Sequence, residues 1–192
     1  MLVLAAFPPE LAGLDPSFER ATVGVGLVDA ALGTARVLAT RHPDQVVLVG
    51  TVGAYPASGL SIGDVVTASR VLLAAPSGAL VEAISRQIDV DRSDPNDPYD
   101  FRPVTVATTL AVTTDDAVAA ALERSTGAQV EHLEAFAVAR ACAEAGVRFS
   151  AVFGVANAVG ARGRAEWRAH HERAAAAACA ALRNPPTRRS RA

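Results

Sequence analysis

Apolar runs rich in Val and Leu alternate along the chain with stretches whose apolar positions recur at helical spacing. Residues 2–6 and 22–25 read as strands and 28–39 as a helix. The unbroken apolar run at 46–49 suits a strand covered on both faces. Strands are predicted again at 64–73, 104–112, 129–132 and 149–155. Helices are predicted at 115–124, with Thr113 or Thr114 as N-cap, at 134–145, closed by Gly146, and at 165–182. This alternation predicts a single α/β domain, with a mixed, mostly parallel central sheet and helices on both faces. The domain is assigned to 1–182 and the basic, proline-broken stretch 183–192 to a disordered tail. The Asp- and Pro-rich stretch 89–103 is assigned to a loop, either a plain connection or a lid or subunit contact.

Composition narrows the function classes. The chain is 51% hydrophobic but only 5% aromatic, so its core is built mainly from Ala, Val and Leu. A formal charge of −2 gives no reason to expect nucleic acid or an anionic membrane as partner. No apolar run is long enough to span a bilayer, and the opening "MLVLAAF" is too short for a signal peptide. Cys142 and Cys179 lack CxxC spacing and fit reduced thiols of a cytoplasmic protein.

Candidate chemistry gathers where strands end, the place at which α/β sheets bind ligands. Glu10 follows the first strand, Gly24–Val25–Gly26 the second, and Gly50 and Gly53 flank Thr51 and Val52 in a turn open to close backbone approach. Asn157 follows the last strand. Each has a plain structural explanation. Glu10 suits the first turn of a helix, Asn157 suits a turn, and Glu134 could simply cap the helix it precedes. His132 is assigned to a satisfied core position, and His170 and His171, near Trp167, to the surface. "GVG" lacks the third glycine of a dinucleotide fingerprint, and the P-loop and nucleophile-elbow motifs are missing. No residue spacing suggests a metal site, and no cofactor is expected.

The ordered segments "AAFPPEL", "VLVGTVGAYPASGLSIGDVV", "VEHLEAFAVA" and "FGVANAVGARGRAEW" resemble those of the nucleoside phosphorylase/nucleosidase superfamily. The opening looks like "GAMxxE", the second segment like "INTGxAGGL…LxxGDVV", and the third like "VExMEGxAVA". The last is closest to "RGISNxVGxRDxxxW" of the futalosine hydrolases. The resemblance covers about residues 1–182 and implies a purine nucleosidase without a cofactor, acting as a homodimer. It places Glu10 on the water-activating glutamate and Glu134 on the glutamate that binds ribose hydroxyls, with Leu133 in the position of a ribose-packing methionine. Gly50, Thr51, Val52, Gly53, Phe153 and Ala156 fall on substrate-binding positions. Phe153 and Ala156 depart from the usual arginine and serine. Asn157 stands where adenine-cleaving nucleosidases have an aspartate.

The implied activity is hypoxanthine release from a 5′-modified ribonucleoside on a menaquinone route. Two alternatives stand beside it: a methylthioadenosine/adenosylhomocysteine nucleosidase, and a weakened relative that binds nucleoside without turnover. The phosphate-holding arginines of the superfamily's phosphorylases have no counterpart in "AAFPPEL" or "VVLVG", which favours hydrolysis.

Overall fold

A computed structural model describes residues 1–75, 87–90 and 101–183. In chain order the strands are β1 (Leu2–Ala5), β2 (Glu19–Thr22), β3 (Gln45–Ala54), β4 (Val65–Leu73), β5 (Gln87–Asp89), β6 (Arg102–Thr108), β7 (Val130–His132) and β8 (Arg148–Ala158). The helices are α1 (Leu27–Arg41), α2 (Asp116–Thr126), α3 (Ala135–Glu144) and α4 (Gly163–Arg183), with a 3-10 turn over Pro8–Leu11. The α/β expectation holds.

The strands form one eight-stranded sheet in the order β2-β1-β3-β7-β6-β4-β5, with β8 joining β3 to β4. Pairings within β2–β1–β3–β8 and β4–β6–β7 are parallel, whereas β3–β7, β4–β8 and β4–β5 are antiparallel. Strands β3, β8, β4, β6 and β7 therefore close a ring, with β1 and β2 extending from it as an open wing. Two long strands make this possible. Along its whole length β3 pairs β8 on one side, while on the other its first part pairs β1 and its last residues, Gly53 and Ala54, pair β7.

The core divides by strand alternation. Leu2, Leu4, Val46, Leu48 and Phe153 join Val138 and Cys142 of α3 in one cluster. Val3, Val47, Val49 and Val152 join Ala178, Cys179 and Leu182 of α4 in another. Burial raises the pKa of both thiols, Cys142 to about 12 and Cys179 to about 11.

Several expected boundaries move. The second strand is 19–22, not 22–25, because it pairs with β1 from Leu2↔Glu19 to Ala5↔Thr22 and the chain then passes through the positive-φ residues Gly24 and Gly26. The strand expected at 104–112 ends at Thr108. Asp115, not Thr113 or Thr114, caps α2, its carboxylate accepting from the Val118 N–H at 2.9 Å. Strand β5 and the 3-10 turn were not anticipated. The terminal helix takes in Arg183, so the expected tail lies otherwise outside the described residues, as does most of the expected loop 89–103.

Candidate active site

A cavity of about 540 Å³ opens beside the C-terminal ends of β1 and β3. Its wall includes Glu10, Thr51, Gly53, Leu133, Glu134 and Asn157 from the sequence candidates. Ala6, Phe7, Val25, Val112, Thr114, Glu131, His132, Gly163, Arg164 and Trp167 complete it.

Glu10 reaches the cavity because the chain turns sharply after β1. Two prolines, with φ fixed near the helical value, start the 3-10 turn, and the Glu10 side chain folds back over the strand end. Its Oε2 accepts from the Ala6 N–H at 3.2 Å. Its Oε1 accepts from the Thr51 N–H at 3.0 Å and from the Thr51 hydroxyl at 3.3 Å. Gly50 makes room for this: a Cβ there would stand 2.8 Å from Glu10 Oε1. Burial pushes the Glu10 carboxyl up to about 7, and the nearby Glu134 adds to the rise, while the bonds from Thr51 and Ala6 pull the other way.

Glu134 stands at the N-cap position of α3 but makes no capping bond with its side chain. The capping explanation therefore fails. Oε1 instead accepts from the Gly26 N–H at 2.7 Å, across from the turn after β2. His132 Nδ1 accepts from the N–H groups of Glu134 and Ala135, both at 3.1 Å, and satisfies the start of α3 in the carboxylate's place. Glu134 Oε2 also lies 3.1 Å from that nitrogen. Burial lowers the imidazole pKa against the opposing pull of Glu134. A neutral ring whose Nδ1 lone pair already faces two fixed donors forms no ion pair, so this contact is proximity and leaves Oε2 available to a ligand. His132 is, as expected, a satisfied buried histidine.

Asn157 lies within β8 rather than after it. Val52 pairs with Val155, but the next residue, Gly53, pairs with Asn157, so Ala156 is an extra residue in a β-bulge. The bulge breaks the alternation that would send Asn157 to the same side as Phe153 and Val155. Asn157 Nδ2 donates to the Ala158 carbonyl at 2.8 Å, which leaves Oδ1 and the second N–H uncommitted. A Cβ at Gly53 would meet Nδ2 at 2.9 Å, so this glycine too clears space for a polar side chain.

Four candidates do not reach the cavity. Gly50 is covered by the Glu10 carboxylate. Val52 and Phe153 point into the core, and Ala156 is wholly buried at the bulge. Phe153 packs against His132 with ring centres 4.5 Å apart, and so supports the wall from behind.

The residues that were missed are mostly apolar or aromatic, which gave them no chemical mark in the sequence. Thr114, Glu131, His132 and Arg164 are polar, and among the others Trp167 carried a positional signal. It follows Gly163 by four positions on α4 and so shares its face, a spacing that could have placed both on one wall. Its neighbour His171 is half-buried and stacked on the indole, with centres 4.2 Å apart, rather than free at the surface.

This arrangement, with buried carboxylates, a bulge-placed amide and an aromatic wall beside parallel strand ends, defines a small-molecule site in an α/β protein. The chain belongs to the phosphorylase superfamily, whose model matches residues 20–184. It is 31% identical over 162 residues to the futalosine hydrolase of Thermus thermophilus, covering 76% of this chain and 71% of that protein. The native futalosine hydrolase of Helicobacter pylori shares the fold, with a TM-score of 0.81, 15% identity and 95% of each chain covered. The methylthioadenosine/adenosylhomocysteine nucleosidase of Colwellia psychrerythraea, solved with adenine, gives 0.79 and 18%, covering 95% of this chain and 92% of that one.

Proposed function

We propose that this protein is a purine nucleosidase of the futalosine hydrolase type, cleaving the N-glycosidic bond of a 5′-modified ribonucleoside and releasing hypoxanthine. The observation that carries the reading is the pairing of Glu10 and Glu134 in one cavity. Glu10, with a pKa of about 7, can hold and deprotonate water near neutral pH. Glu134, whose Oε2 is uncommitted, can accept hydrogen bonds from the ribose hydroxyls.

In the reaction the water oxygen bonds to C1′ and its proton passes to Glu10. The C1′–N9 bond breaks, and its electron pair leaves with the purine. The charge of Glu134 stabilises the ribose as it becomes cation-like. Leu133 packs at the cavity wall beside it. N7 of the departing base takes a proton from solvent as the bond breaks, and the proton held by Glu10 returns to solvent. Asn157 accepts from the resulting N7–H through Oδ1 and donates its free N–H to O6. Hydrolysis is favoured over phosphorolysis because Arg164 is the sole arginine or lysine among the described residues of the wall. Arg20 of β2 is spent on the carbonyls of Leu14, Asp15 and Phe18.

The decisive experiment is to incubate the purified protein with futalosine, inosine, methylthioadenosine and adenosylhomocysteine, with and without phosphate, and to follow base release chromatographically. Hypoxanthine from futalosine without phosphate is the expected result. Release only with phosphate, or from the adenine nucleosides alone, would replace this reading. No release from any of them would leave a nucleoside-binding relative.

The same reading places the protein in the cytoplasm, on a menaquinone route, as a homodimer. Two buried free thiols support a reducing compartment. Val25 and Val112 at the cavity, with Val28, Leu32 and Leu110 beside them in the chain, are more than half exposed and offer an apolar surface to a second copy. A monomer of full activity in sedimentation at micromolar concentration would refute the dimer.

A further inference from the structure

Trp167 is a cavity-wall residue with a second contact. Its indole N–H lies 3.1 Å from Thr51 Oγ1, and that oxygen lies 3.3 Å from Glu10 Oε1. An indole nitrogen only donates, an ionised carboxylate only accepts, and a hydroxyl has a single proton to give. One arrangement satisfies all three groups: Trp167 donates to Thr51, and Thr51 donates to Glu10. We propose that Trp167 and Thr51 are positioning residues for Glu10, forming a one-way hydrogen-bond relay that fixes the direction in which the threonine hydroxyl donates.

The geometry gives the relay its purpose. At 3.3 Å the hydroxyl-to-carboxylate bond is long, and a freely rotating hydroxyl would hold it only part of the time. Filling the acceptor side of Thr51 with the indole N–H removes the competing orientation and polarises the O–H toward Glu10. Thr51 then grips Oε1 twice, through its backbone N–H and its hydroxyl. The indole is itself held on two sides. It stacks on His171, with rings inclined by 20°, and leans on Phe7, at 6.3 Å between centres, just before the turn that carries Glu10. The relay thus ties α4 to the 3-10 turn across β3. Because the same indole forms part of the wall, a ligand packed against it bears on the carboxylate through the N–H.

The test separates this role from simple packing. Trp167→Phe keeps a ring in the wall and loses the N–H; Thr51→Val loses the hydroxyl; Thr51→Ser restores it. The hydroxyl bond favours the ionised carboxylate, so weakening it raises the Glu10 pKa. The acid limb of kcat/KM is expected to move to higher pH in Trp167→Phe and further in Thr51→Val. kcat should fall roughly three- to tenfold and KM should change little. Thr51→Ser should return the acid limb to its wild-type position, and Trp167→Phe added to Thr51→Val should move it no further.

This rests on Glu10 being the base of the proposed reaction, so a second measurement is independent of turnover. The Glu10 side-chain carbon can be titrated by NMR in 13C-glutamate-labelled protein, assigned by its loss in Glu10→Gln. An upward shift of its midpoint in Trp167→Phe, even without hydrolysis, supports the relay. An unmoved midpoint in both Trp167→Phe and Thr51→Val, or additive effects in the double variant, would overturn it. Absence of hydrolysis with a shifted midpoint would instead remove the nucleosidase reading and leave the relay standing.

Discussion

The cavity has two sides whose carboxylates are equally buried and differently used. On one side Glu131 is committed to the protein: Oε2 accepts from the Tyr55 hydroxyl at 3.1 Å and the Thr113 hydroxyl at 2.6 Å, and Oε1 from the Thr113 N–H at 3.0 Å. It clamps the loop after β6 onto β7 and the end of β3. Burial first, and Glu131 second, hold the Tyr55 phenol protonated far above its ordinary range. On the other side, Glu134 gives one oxygen to a backbone N–H and keeps one free, and its charge adds to the unfavourable burial of Glu10. Glu131 and Glu134 are three residues apart. What divides them is whether short donors meet the carboxylate on every side. The saturated side builds the wall, and the unsaturated side carries an electrostatic cost of the kind that marks reactive sites.

Substitutions should separate the two sides, and the largest effect belongs to Glu10. Glu10→Gln is expected to lower kcat by roughly 10²–10⁴, the span of a lost general base, with little change in KM. A fall of less than about tenfold, measured on the preferred nucleoside, would move the base elsewhere.

Next in size is the pH dependence of stability. A carboxyl whose pKa rises from 4.5 to about 7 on folding binds its proton more tightly in the native state. Its contribution is therefore present at low pH and is lost as pH rises through that window, by up to about 3 kcal/mol. Denaturant midpoints of the wild type should carry this decline between pH 4.5 and 7, and those of Glu10→Gln should lack it. Activity is expected to run the opposite way, increasing through about 7 as Glu10 ionises. Glu134→Gln, which removes the neighbouring charge, should shift that midpoint downward. An unmoved midpoint would show that Glu134 is not close enough to act on Glu10 through its charge.

The saturated side should respond in stability first. Glu131→Gln replaces an acceptor by a donor before two hydroxyls and a buried N–H, and is expected to cost about 1–3 kcal/mol in chemical denaturation. If stability were unchanged while kcat collapsed, Glu131 would belong with Glu10 and Glu134, and the division between the two sides would fail.

The sequence disclosed the parts with a local signature. The apolar runs marked β1, β3 and β4, and the helical spacing marked α1 to α4. Glu10, Glu134 and Asn157 were conspicuous as polar residues among small apolar ones at strand ends. Closure of the ring was hidden, because it depends on β3 exchanging one neighbour for another at Gly53, a long-range matter of register. The bulge at Ala156 was hidden for the same reason, and with it the exclusion of Phe153 from the cavity. By local composition Glu131 and Glu134 look alike in "VEHLEAF", and only the family resemblance singles out Glu134. Their partners, Thr113 and Tyr55 for one and Gly26 for the other, come from distant segments.

The smallest expected effect concerns the bulge-placed amide, and it tests the open side of the cavity for its choice of base. Asn157 Nδ2 is anchored on the Ala158 carbonyl, so the amide presents a fixed acceptor and one donor to the cavity. That pair complements N7–H and O6 of hypoxanthine. Adenine carries an amino group at position 6, which would face the donor and leave it unpaired, a mismatch that costs binding energy in a buried site. An aspartate replaces the donor by an acceptor and can carry a proton toward N7, a combination that suits adenine. Losing the Nδ2 bond to Ala158 offsets part of the gain, so the change in preference is expected to be modest, about tenfold or ~1.4 kcal/mol. The measurement is kcat/KM of wild type and Asn157→Asp with inosine-type and adenosine-type substrates matched at the 5′ position. The ratio of the two should move toward adenine in the variant. An unchanged ratio, with both efficiencies lowered alike, would leave Asn157 holding the end of β8 and would assign the choice of base to another part of the wall.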